Sequence, residues 1–170
     1  GRTFQESFQK ALRGLETGID GLAERSDDLE EIVQEIGEPG PERLLYVADA
    51  FRVGMTLDAV FEETAIDPWF LAQIEQLVQT EAALAERTLA SLSAAELRFL
   101  KRKGFSDRRL AKLLGTHQHA VREARIAHGV RPVVFPHWFH RIRFRCKVCH
   151  QELGFKMRAG ANDVQMADIL

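Results

Sequence analysis

YVADAFRVGMTLDAVFEETAIDPWFLAQIEQLV, residues 46–78, reads as three amphipathic helices joined by unambiguous punctuation. Leu44, Val47, Ala48 and Phe51 recur at helical spacing up to Gly54, a residue suited to ending a helix. Thr56 with Asp58 then starts a short helix through Leu57, Val60 and Phe61. Asp67-Pro68 is the clearest start in the chain: the aspartate accepts from first-turn amides, and proline has no amide to leave unpaired. The helix that follows is expected to bury Trp69, Phe70, Ile74, Leu77 and Val78.

Outward from this stretch the helical texture continues in both directions. Over residues 3–17, Phe4, Phe8, Ala11, Leu12 and Leu15 fall on one predicted face, with Gly18 and Gly21 ending the helix. Ser26, Asp27 and Asp28 offer capping oxygens to a helix carrying Leu29, Ile32, Val33 and Ile36. Gly37, Pro39 and Gly40 break that helix, and Pro41 suits the first turn of the next. Downstream, Ser93-Ala94-Ala95-Glu96 is a capping box that opens a helix with Leu97 and Leu100. Gly104 closes it. Ser106 or Asp107 starts another helix through Leu110, Leu113 and Leu114, and Gly115 ends it. Thr116 starts a last one with Val121 and Ile126, stopped by Gly129. The expected fold is all-α, an irregular helical domain of seven or eight short helices over residues 1–130.

After Arg131-Pro132 the texture changes. Val133-Val134-Phe135 and Arg141-Ile142-Arg143-Phe144-Arg145 have strand character, and Gly154 could turn a hairpin. Residues 131–170 therefore read as a separate tail, a β-hairpin or zinc-knuckle-like segment whose last dozen residues are featureless.

At 170 residues, 45% hydrophobic and 28% charged, the composition suits a globular domain with a real core. No apolar run approaches the roughly 18 residues that cross a membrane. The amino terminus, GRTFQESFQK, is already an amphipathic helix and lacks Met, which reads as part of a longer chain without a signal peptide. Two cysteines make no disulfide framework and suggest a cytoplasmic setting. The small net charge of −2 hides an asymmetry. Through Leu97 there are seven Lys and Arg against 20 Asp and Glu; from Arg98 onward, 16 against 5. Such halves can face one another or neighbouring domains, or the basic half can face nucleic acid.

Two patterns could carry a binding function. Residues 104–130 have helix-turn-helix spacing, which would present Gln118, His119, Arg122 and Arg125 to a DNA groove; two ordinary helices around a glycine turn share that pattern. Cys146-Lys147-Val148-Cys149-His150 matches the haem c attachment signature and also half of a zinc site, which His137 and His140 could complete. Unligated thiols fit the pattern equally, so no metal ligand is assigned. Acidic clusters at Glu30, Glu31 and Glu35 and at Glu62 and Glu63 read as solvated faces. Asp49 and Arg52 could pair on a helix surface, worth tenths of a kcal/mol. There is no phosphate-binding glycine loop, nucleophile elbow or catalytic carboxylate pair in the sequence, and no catalytic or cofactor-binding residue is assigned.

Three blocks carry a resemblance. GRTFQESFQKALRGLE (residues 1–16), the residues 46–78 quoted above, and LKRKGFSDRRLAKLLG (residues 100–115) resemble the oligomerisation domain of the large subunit of carbamoyl-phosphate synthetase. The likeness covers about residues 1–132, with residues 18–40 matching in position more than in letters. It implies a module without catalytic residues, lying between the two ATP-grasp halves of an ATP-dependent ligase of arginine and pyrimidine synthesis. ATP and magnesium would belong to those halves. The implied partners are a second large subunit, the ATP-grasp modules and a glutaminase subunit. Under this resemblance the helix-turn-helix spacing is family packing rather than a DNA reader. The alternative is a nucleic-acid- or zinc-binding adaptor built on residues 104–130 and the CxxC tail. The tail departs from the family, reading VFPHWFHRIRFRCKVCHQELGFKM where a basic, cysteine-containing connector is expected.

Overall fold

The computed structural model describes residues 1–15 and 17–129. Thr3, Asp28, Thr56, Asp67, Ser93 and Ser106 each place a side-chain oxygen on a first-turn amide of the helix that follows. Each satisfies a donor the helix itself leaves unpaired. They open α1 (Phe4–Gly14), α2 (Leu29–Gly37), α4 (Leu57–Thr64), α5 (Pro68–Ala82), α6 (Ala94–Arg102) and α7 (Asp107–Leu113). Ser93 and Glu96 complete the predicted capping box, with Ser93 N donating to Glu96 Oε2 at 2.8 Å. Two helices start without a side-chain cap: α3 (Arg43–Arg52), two residues after Pro41, and α8 (Gln118–Ala127), two residues after Thr116. A single 3-10 turn, Leu89–Ser91, precedes α6. Among the described residues the fold is all-α, as the sequence predicts.

α2, α3, α4 and α5 pack on one another, α7 packs on α8, and α1 lies against α5. One core runs through the whole array. It takes Leu22 from the segment between α1 and α2, Ile32 and Ile36 from α2, and Val47 and Ala48 from α3; Leu71 and Leu77 from α5, Leu97 from α6, Leu110 from α7 and Val121 from α8 complete it. Burying each Leu, Ile or Val side chain of this set stabilises the fold by about 1.5–3 kcal/mol. Arg43 at the start of α3 ties α2 to α4, since its guanidinium donates to Ile36 O at 2.6 Å and Thr64 O at 3.0 Å. Those are carbonyls at the C-terminal ends of α2 and α4, which those helices leave unpaired.

Gly104, between α6 and α7, has φ +96°, and a Cβ there would sit 2.9 Å from the Cα of Glu6. The turn after α6 therefore lies directly under α1. Gln9 Nε2 donates to Lys103 O at 3.0 Å across the same contact. Only glycine permits both the left-handed backbone and this approach.

Several predicted faces differ from the observed ones. In α1 the buried residues are Gln5, Glu6, Gln9 and Leu12; Phe4 and Phe8 are half-buried, and Ala11 and Leu15 are exposed. Trp69 and Phe70, expected in the core, are 54% and 42% exposed. Ile126 is also exposed, because Val121 and Arg125 supply the inward face of α8. In α3 all six residues from Leu45 to Ala50 are buried, more than one face of the helix, while Leu44 reaches solvent. Hydrophobic periodicity locates a helix but not its azimuth when polar side chains find partners inside.

Candidate functional site

Asp67 Oδ1 accepts from Trp69 N at 2.8 Å and so fixes the first turn of α5. Trp69 and Phe70 project from that turn toward α1. Phe4 meets both, with ring centroids 5.4 Å from Trp69 and 5.1 Å from Phe70, and it stacks on Phe8 at 5.5 Å. Trp69 and Phe70 are themselves edge-to-face at 5.0 Å. Four aromatic rings thus form one patch across α1 and α5, half-open to water, the composition that marks binding hot spots.

Polar bonds beneath the patch hold it in place. Gln5 Nε2 donates to Gln73 O at 3.3 Å and to Gln76 Oε1 at 3.1 Å, and Gln5 Oε1 accepts from Lys103 Nζ at 2.9 Å. Glu6 accepts from Arg2 N at 2.7 Å and Lys10 Nζ at 2.9 Å. The Arg2 amide and the Lys10 ammonium hold its carboxyl at about 2, well below the usual range.

A second polar centre lies at the other end of α5. Arg109 is fully buried and donates to Glu81 through Nε at 2.8 Å and Nη2 at 2.6 Å. It also reaches Leu22 O at 2.8 Å and Glu24 Oε1 at 3.0 Å. Glu81 accepts in addition from Arg52 at 2.9 Å, and Arg52 pairs with Asp49 at 2.6 Å. Asp49, which the sequence suggested as a surface partner, is 1% exposed and also accepts from Arg25 N and Ser26 N. Burial raises the Glu24 carboxyl, but the bonds from Arg109 and Lys112 overcome it and hold it at about 2. Burial likewise opposes the Arg109 charge, and Glu81 and Glu24 more than restore it.

A smaller centre pairs Asp107, 1% exposed, with Lys101 Nζ at 2.7 Å and Arg125 Nη2 at 3.0 Å. These networks fasten the 18–28 segment, α3, α5, α7 and α8 to one another. Each carboxylate has a cation or backbone amide on it, a structural pattern rather than a general acid or base poised for transfer.

Sequence reasoning overlooked Arg109, Glu81 and the aromatic patch. One signal was available for the patch: consecutive Trp69-Phe70-Leu71 sweeps about 200° of helix surface, so all three are buried only in a helix enclosed on most sides, as α3 is. For Arg109 no local signal exists, because its partners lie 28 and 85 residues away in sequence.

Of the helix-turn-helix candidates, Arg125 is turned inward onto Asp107 and is buried, so α8 does not present it to a groove. Among the described residues no group of three His, Cys, Asp or Glu side chains is placed to hold a metal ion. Cys146, Cys149, His137 and His140, and the predicted hairpin and boundary near 130, lie outside the described residues. No described helix is long and apolar enough to cross a membrane.

Comparison with known proteins supports the resemblance seen in the sequence. Residues 1–129 match the family described as carbamoyl-phosphate synthetase large chain, oligomerisation domain. A carbamoyl phosphate synthase large chain of Ralstonia nicotianae is 69% identical over 133 residues, 78% of this chain and 12% of that relative. The corresponding protein of Neisseria meningitidis serogroup B is 59% identical over the same shares. That of Xanthomonas campestris pv. campestris is 55% identical over 139 residues, 78% of this chain and 13% of the relative. The chain thus spans only 12–13% of the length of these relatives.

Proposed function

The chain belongs to the oligomerisation-domain family of the carbamoyl-phosphate synthetase large chain, and we propose that it acts as a non-catalytic assembly module of such a synthase. Residues 1–130 form the module, and residues 131–170 are a separate tail. In the parent enzyme, ATP-grasp halves carry the ligase chemistry of arginine and pyrimidine synthesis in the cytoplasm, with ammonia from a glutaminase subunit. ATP and magnesium belong to those halves. The module's own partners are a second large chain and the flanking halves.

The observation that carries this reading is the family match over residues 1–129, which spans all eight described α-helices. Two features of the structure support it. The ionisable groups of the interior are engaged in fastening helices, and the half-open patch of Phe4, Phe8, Trp69 and Phe70 is aromatic, the chemistry of protein contacts. Light scattering on the full 170-residue chain, from low to high micromolar concentration, tests the self-association. The mass is expected to rise above that of one chain; a strict monomer across the range would falsify autonomous oligomerisation.

A further inference from the structure

α1 and the 18–28 segment meet the rest of the domain along one seam, bridged by polar bonds from end to end. Beneath α1, Gln5 is bonded to Gln73, Gln76 and Lys103, and Gln9 donates to Lys103 O. Past α1, Ser106 Oγ donates to Asp20 O at 3.1 Å, and Arg52 and Arg109 both donate to Leu22 O, at 2.6 and 2.8 Å. Glu24 accepts from Arg109 and Lys112, and Arg25 Nη2 donates to Glu42 at 2.7 Å. The Arg25 and Ser26 amides close the seam on Asp49. The buried apolar side chains that these two stretches contribute are Leu12 and Leu22, with Phe8 and Ile19 partly buried against the core. Phe4 adds its contacts with Trp69 and Phe70, rings that already stand half in water.

The helices behind the seam are joined differently. Ile32, Ile36, Val47, Val60, Leu71 and Leu77 are completely buried where α2, α3, α4 and α5 pack on one another. Parting an apolar interface exposes surface that water penalises in proportion to its area. Parting a polar one trades bonds within the protein for bonds to water, so little of each bond's strength is lost. Glu81 and Arg109 would also regain hydration that burial denies them. The flexibility of the released chain favours opening in either case. The polar seam is therefore where the domain parts at least cost.

Gln9 joins the two stretches. It is 1% exposed, covered from both sides. Its Nε2 donates to Lys103 O, and its Oε1 would stand 3.2 Å from a Cβ on Gly21, which would itself meet the Arg109 side chain at 3.4 Å. Lifting α1 withdraws Gln9 from Gly21, and lifting the 18–28 segment uncovers Gln9. We infer that α1 and the 18–28 segment form one strap, which opens as a unit from α3, α5 and the α6–α7 turn while the helices behind it stay folded.

Native-state hydrogen exchange of the 170-residue chain, read residue by residue by NMR, tests the strap. The α1 amides and those of Arg25 and Ser26 should share one protection factor, lower by about tenfold or more than that of the core amides of α3 and α5. Low urea should speed them less steeply than it speeds α3 and α5, because the opening exposes less surface. Protection that climbs steadily from Phe8 to Ser26 would mean fraying and would overturn the proposal, as would protection equal to that of α5. Substitutions test the coupling. Gln5→Ala removes bonds of α1 alone, and Glu24→Gln weakens pairs of the 18–28 segment alone. Each should speed exchange in both stretches by one common factor, about tenfold, since coupling is reciprocal. An effect confined to the stretch that carries the substitution would make them independent pieces. Val60→Ala, in the packing of α4 on α2 and α5, should speed α3 and α5 and leave both stretches unchanged. Equal acceleration of the strap would show that it opens only when the whole domain unfolds, and the inference would fall.

Discussion

At the N-terminal end of α5, Trp69 and Phe70 stand half in water; at its C-terminal end, Glu81 is 5% exposed and carries two guanidinium groups. One helix thus turns aromatics outward at one end and a charge inward at the other. Hydrophobicity alone would reverse both choices. The buried end is explained within the chain, because Arg109 and Arg52 meet both carboxylate oxygens and the 18–28 segment closes over them. The aromatic end has only the ring contacts among Phe4, Trp69 and Phe70, and that contrast separates a closed fastening site from a half-open one.

The largest expected effect comes from breaking the buried end. Arg109→Leu keeps most of the volume but leaves Glu81 with Arg52 alone and Glu24 with Lys112 alone. Losing one partner of a buried ion pair costs about 3–5 kcal/mol, which urea denaturation of the 170-residue chain would read as a lowered midpoint. Adding Glu81→Leu should recover part of that loss, since the uncompensated charge goes with it. A single mutant within 1 kcal/mol of the parent would show that the network is decorative and that shape alone holds α7 on α5.

Acid probes the carboxylates on both sides of the comparison at once. Glu24 at the buried end and Glu6 beneath the aromatic patch each have their carboxyl held at about 2 in the folded chain, against 4.5 for an unperturbed glutamate. A lowered folded value means the unfolded chain binds the proton first. Their contribution is therefore complete above pH 4.5 and is lost as pH falls from there toward 2. Urea midpoints should stay level from pH 7 to 5 and fall steadily from pH 4.5 to 2.5. The loss should be smaller than that of Arg109→Leu, because solvent screens the half-exposed Glu24. Glu24→Gln should flatten part of the slope; an unchanged slope would remove Glu24 from the account.

The same contrast explains what could be read from the letters. Caps are local: Asp67-Pro68, the Ser93–Glu96 box, Thr56 and Ser106 act on amides two or three residues away, so helix starts were legible. The resemblance in residues 46–78 and 100–115 was legible for the same reason, as contiguous strings. The azimuth of α1 was not, because Gln5 is buried by partners 68 to 98 residues distant. Nor was the Arg109 centre, whose guanidinium reads in sequence like any surface arginine until Glu24 and Glu81 are brought beside it. The aromatic patch fell between these cases. Its residues were singled out, but apolar character was equated with core, and burying consecutive Trp69-Phe70-Leu71 needs a helix enclosed on most sides, as α3 is and the start of α5 is not.

The smallest effect, and the sharpest use of the comparison, lies in those neighbours. Leu71 is fully buried while Trp69 is 54% exposed, although two peptide bonds separate them. Leu71→Ala should cost about 2–5 kcal/mol, the usual loss for emptying a closed core site. Trp69→Ser should cost only about 1 kcal/mol or less, the worth of its edge contacts with Phe4 and Phe70. The larger residue would then matter less to the isolated fold than the smaller one, the opposite of their order by apolar area. Paired urea titrations decide it. A Trp69→Ser loss of several kcal/mol would make the patch a load carried by the fold itself, and an outside partner would no longer be needed to account for it. A near-neutral result would leave four clustered rings that the domain holds in place without relying on them for its own stability.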